Sequence, residues 1–170
     1  MNTSRGVWVL LSAALLLVSC GGGDNDSREA QMEAMAKKHG IDADVSLDED
    51  GEVASVVIEQ GYGGARVGTN LELPDGFPDD VPVSSDWTIM AVSPTPGGYM
   101  INGSTERTVD EALAAVRQQL TAEGWTETGF SNSNSVMTQV GFSKDERITN
   151  INLMDTGANR SVQLVTMQKP

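Results

Sequence analysis

The chain has 170 residues, with 24 acidic side chains against 11 basic ones, one histidine, one cysteine and a formal net charge of −13. Such a balance excludes a nucleic-acid surface, where cationic side chains must replace phosphate counterions. One histidine and one cysteine exclude the familiar zinc sites, and a nucleophile–histidine–acid triad would have only His39 to draw on.

The chain opens with Arg5, an apolar run from Gly6 to Val18, and then Ser19-Cys20 followed by three glycines. A basic start, a short apolar centre and small residues before a cut are the layout of a secretory leader. The run is about 13 residues, short of the roughly 20 that a membrane-spanning helix needs. Its ending, Leu17-Val18-Ser19-Cys20, resembles the lipobox of bacterial lipoproteins. The resemblance implies removal of residues 1–19 and acylation of Cys20, which then holds the protein to a lipid bilayer through its acyl chains. It leaves 151 residues and no thiol for a disulfide, so the folded part must rest on its hydrophobic core. In Gram-negative lipoproteins an Asp after the Cys tends to retain the protein in the inner membrane. Position 21 is Gly, which implies sorting to the outer membrane, facing the periplasm.

Residues 20–27 read as the lipidated cysteine and a flexible tether, since Gly-rich chain has little stiffness. Residues 28–39 are good helix formers and Gly40 is a stop, but Met32, Met35 and Ala36 make only a thin apolar stripe. Residues 43–47 and 52–59 predict a hairpin, with Asp48-Glu49-Asp50-Gly51 as its turn. Together they make an N-terminal unit over 28–60. Residues 61–86, rich in Gly and Pro, predict an acidic connector.

The main unit is expected over 87–170. Residues 87–92 and 99–102 predict two strands around Pro94-Thr95-Pro96-Gly97-Gly98. Thr108 with Glu111 matches a capping box. Val109, Leu113, Val116 and Leu120 lie on one helical face, with Gly124 at the C-terminal stop. Four strands follow, near 125–130, 135–142, 147–154 and 160–168. Val140 and Phe142, then Ile151 and Leu153, alternate with polar neighbours, as a sheet with one buried face requires. The predicted class is α+β: a two-layer arrangement of an antiparallel sheet with one well-capped helix packed on it, preceded by a short helix and a β-hairpin.

The phrase Leu73-Pro74-x-x-Phe77-Pro78-x-Asp80-Val81, a hairpin, a helix and Gly124-Trp125 resembles a group of uncharacterised Gram-negative envelope lipoproteins over roughly residues 70–130. That group has no activity to carry over, so the resemblance implies location and fold alone.

Motifs that could carry chemistry fare poorly. His39 follows Lys37-Lys38 at a helix end, where a cation suits the helix dipole. Ser46, Asp48, Asp50 and Gly51 fit positions 1, 3, 5 and 6 of an EF-hand loop, but position 12 is Val57 where a bidentate Glu is needed. Gly61-Tyr62-Gly63-Gly64-Ala65-Arg66 lacks the Lys-Ser/Thr of a phosphate-binding loop. No catalytic residue, metal or cofactor is expected, and a non-enzymatic binding or scaffolding module is. The charge is uneven: residues 42–86 hold 12 acidic side chains against Arg66 alone. Asp75, Asp79 and Asp80 are therefore the candidate contacts for a basic protein partner. Two further roles fit the same features. One is an acidic inhibitor of a basic enzyme such as lysozyme. The other is an accessory factor in outer-membrane assembly.

Overall fold

A computed structural model describes residues 25–59, 64–133, 137–157 and 159–169, with side chains described outside 129–133. The elements in chain order are α1 (Asn25–Lys38), β1 (Ala43–Leu47), β2 (Val53–Ile58), β3 (Ala65–Gly68), β4 (Thr88–Thr95), β5 (Gly98–Thr105), α2 (Val109–Ala122), β6 (Thr126–Ser133), β7 (Met137–Lys144), β8 (Arg147–Asp155) and β9 (Arg160–Gln168). The strands form one antiparallel sheet in the order β1-β2-β3-β4-β5-β9-β8-β7-β6. This is an α+β protein dominated by its sheet.

The alternating residues meet in register. Val92, Ile101, Leu164, Ile151 and Val140 face one another across β4, β5, β9, β8 and β7, and all are buried. α2 lies over this row, with Ala112, Val116 and Leu120 buried in the same cluster and Val109 and Leu113 packed against it. Its ends follow the sequence closely. Thr108 Oγ1 accepts from the Glu111 amide and the Glu111 carboxylate accepts from the Thr108 amide, the two halves of a capping box. At the other end the Trp125 amide donates to Leu120 and the Gly124 amide to Thr121, the paired bonds of a Schellman stop. Gly124 takes φ of 83°, where a side chain is strained.

Two boundaries differ from expectation. Asn25 to Ser27, placed in the tether, form the first turn of α1, and the Asn25 amide side chain donates to the Asp48 carbonyl in the hairpin turn. The connector is not a connector. Within it, Ala65–Gly68 pairs with β2 on one side and β4 on the other, joining the N-terminal hairpin to the rest of the sheet. Residues 71–87 then lie over the core beside α2, with Val81 and Trp87 buried in the cluster and Leu71, Phe77 and Val83 packed on it. Prolines remove donors but do not prevent burial of the side chains between them. Pro74 and Pro78 each accept through their carbonyl from the residue three further on, at Phe77 and Val81, so the segment advances in tight turns.

α1 has no buried residue. It runs beside β1, where Glu33 accepts from the Val45 amide at 3.1 Å and Glu29 from the Leu47 amide at 2.6 Å. Glutamates one helical turn apart thus fill donors of the edge strand that the ladder leaves unpaired.

Candidate binding surface

The segment 71–87 carries the three carboxylates singled out by the sequence, and the structure separates them. Asp80 is clamped to the body of the protein. Arg147 donates to both of its oxygens, at 2.7 and 2.6 Å, and Lys144 Nζ donates to one of them at 2.6 Å. Its backbone carbonyl accepts from the Trp125 indole at 2.7 Å. The Arg147 guanidinium lies 5.1 Å from the centre of the Trp125 ring, in cation–π range. Lys144 also donates to the Glu123 carbonyl at the end of α2. The hydrogen bonds from Arg147, against some opposition from burial and with help from Lys144, hold the Asp80 carboxyl far below the ordinary carboxylate range. Asp80 is therefore a structural anchor that ties the Pro-rich segment to α2, β7 and β8, with its carboxylate already engaged within the protein.

Asp75 and Asp79 are exposed and have no hydrogen-bond or ion-pair partner among the described residues. They flank a shallow groove of about 420 Å³ lined by Leu73, Pro74, Phe77, Pro78 and Pro82. Leu73 is 37% exposed beside them. Phe77 stacks obliquely on Tyr99, ring centres 5.7 Å apart, which fixes the floor of the groove to β5. The arrangement pairs two uncompensated negative charges with apolar and proline surface on a backbone pinned by Asp80. A cationic side chain with an apolar stem, such as lysine or arginine, fits both features.

Other carboxylates of the acid-rich stretch are engaged internally. Asp48 accepts from the amides of Asp50 and Glu52, so the residue tested against calcium closes its own hairpin turn, with Gly51 at φ of 77°. Asp86 accepts from the Ser84 and Thr105 hydroxyls and pairs with Arg107 at 3.1 Å. Burial pushes its carboxyl up, the hydroxyl bonds and Arg107 pull it down, and the balance lies below the ordinary value. This cluster escapes sequence reading except for the local Ser84-x-Asp86 pairing. The partners of Asp80 were equally hidden, since Lys144 and Arg147 lie 64 and 67 residues away. Among the described residues no group of three or more His, Cys, Asp or Glu could hold a metal ion.

Cys20, the expected lipidation site, lies outside the described residues. No helix among the described residues is long and apolar enough to cross a membrane. Compared with protein families, curated proteins and solved structures, the chain matches none.

Proposed function

We propose that this protein is a non-enzymatic lipoprotein of the bacterial envelope that captures a basic protein through the groove between Asp75 and Asp79. The observation that carries the binding half is the contrast within one segment. Asp80 is neutralised by two cations, while Asp75 and Asp79 stand exposed and uncompensated around apolar surface. Arg66 is the single basic residue within 42–86, and apart from Asp80 and Asp86, which draw Arg147, Lys144 and Arg107 from elsewhere in the chain, the carboxylates of that stretch extend the negative field. The anchoring half is supported by the Leu17-Val18-Ser19-Cys20 ending, whose likeness to a lipobox implies acyl chains on Cys20, and by Gly21 in place of Asp, which implies the periplasmic side of the outer membrane. Inhibition of a basic enzyme such as lysozyme is the form of this reading with a ready test. A role in outer-membrane assembly would use the same surface on a basic assembly component.

Labelled palmitate is expected to enter the wild-type protein and not Cys20→Ser; equal labelling of both would remove the anchor. For the binding, lysozyme titrated into the full chain in detergent should form a complex at low ionic strength. Raising salt shortens the Debye length to ~8 Å at physiological strength, so the complex should weaken as salt rises. No complex even at low salt would remove the capture of basic enzymes.

A further inference from the structure

The sheet has a second face. Residues facing away from α2 and from segment 71–87 also meet in register, and their chemistry is unlike the rest of the molecule. Asn102, Gln163, Asn152 and Gln139 face one another across β5, β9, β8 and β7. They are linked in part by their own amides: Asn152 donates to Gln163 and Gln163 to Asn102, each at 3.0 Å. The rows on either side are neutral and mixed, Met100, Val165, Asn150 and Gly141 on one and Ser104, Ser161, Met154 and Met137 on the other. Toward β4 and β3 the amide row continues into Ala91 and Val67, the latter 49% exposed.

No position of this face in β4, β5, β7, β8 or β9 carries Asp, Glu, Lys or Arg. The charged strand residues Lys144, Arg147, Asp155 and Arg160 all belong to the α2 side, in register with buried or core-side partners. A broad neutral face on a chain of net charge −13 lets two copies meet without bringing their carboxylates together. Side-chain amides each offer a donor and an acceptor, so a row of them is complementary to itself, as a two-fold contact requires. Five strands spaced ~4.8 Å apart and eight residues long present roughly 650 Å². Stable specific interfaces cover roughly 600–1,000 Å² per partner.

We propose that the protein pairs with a second copy of itself through this amide-and-methionine face. Gln163 lies at its middle, on the central of the five strands. The pairing leaves segment 71–87 outward on both copies, so Asp75 and Asp79 stay available, and it stands independently of what they bind.

The test is sedimentation equilibrium of the full chain in excess detergent micelles. The wild-type protein is expected at twice the mass of one chain, 18.0 kDa for the 170 residues and correspondingly less once residues 1–19 are removed. Val165→Lys, beside the centre, and Met154→Glu, at a position already 39% exposed, should each halve that mass while keeping the wild-type circular dichroism. Met154→Glu carries the test if Val165→Lys melts early. Ala114→Glu, on the exposed side of α2, should remain at the double mass. A monomeric wild-type chain, whatever else it binds, would overturn the proposal. So would a double mass that survives both Val165→Lys and Met154→Glu.

Discussion

Asp80 shows how one residue can convert a Pro-rich stretch from linker to structure. Its carboxylate receives three bonds from Arg147 and Lys144, and its carbonyl receives the Trp125 indole. Hydrogen bonds to charged groups contribute about 1.5–3 kcal/mol when lost by substitution, so Asp80→Asn should cost about 2 kcal/mol at neutral pH. The pH dependence follows from the lowered carboxyl. The charged form is favoured in the folded state, so the stabilisation is complete above the unfolded value near 4 and is lost as pH falls toward the folded one. Urea unfolding of wild type and Asp80→Asn should therefore differ most above pH 5 and converge as pH drops below about 3. A difference that stays constant from pH 7 to pH 3 would mean that the Asp80 charge contributes nothing. The pairing was invisible in the sequence because both cations come from the far end of the chain. Asp75, Asp79 and Asp80 look alike there, and only the fold distinguishes the clamped one from the exposed ones.

At the scale of elements, local signals were the legible ones. Thr108, Glu111 and Gly124 act within one turn of themselves, so the capping box and the helix stop could be read directly. The hairpins and the alternation of Ile151 with Leu153 were readable for the same reason. β3 was missed because Ala65-Arg66-Val67-Gly68 is short and ends in glycine, and its place is set by β2 and β4 rather than by its own preference. α1 was legible as a helix but not as an edge cover, since its contact with β1 uses glutamates and not an apolar stripe. Replacing Glu29 and Glu33 by Ala should free the Val45 and Leu47 amides, at about 1 kcal/mol for each lost bond. Hydrogen exchange at those two amides should quicken by about tenfold or more, with Ile151 and Leu164 unchanged. Unaltered exchange at Val45 and Leu47 would show that the sheet edge needs no cover from α1.

The whole molecule is one sheet with two dissimilar faces and a charge distribution that follows them. The face under α2 and segment 71–87 holds the hydrophobic core, the opposite face is neutral, and the negative surface is concentrated in the first half of the chain. Composition alone revealed the acidic excess, but not that residues 71–87 pack on the core with Glu72, Asp75 and Asp79 left outward. The central claim is that Asp75 and Asp79 capture a cationic protein as a local site rather than through total charge. Calorimetric titration of lysozyme against two charge-matched variants tests this most directly. Asp75→Asn with Asp79→Asn, and Glu49→Gln with Asp50→Asn in the hairpin turn, each remove two negative charges. At equal salt, the first pair should weaken binding about tenfold or more, and the second should leave it within about twofold of wild type, the range left to screened long-range attraction. Equal weakening by both pairs would show that overall charge, and not the groove, holds the partner.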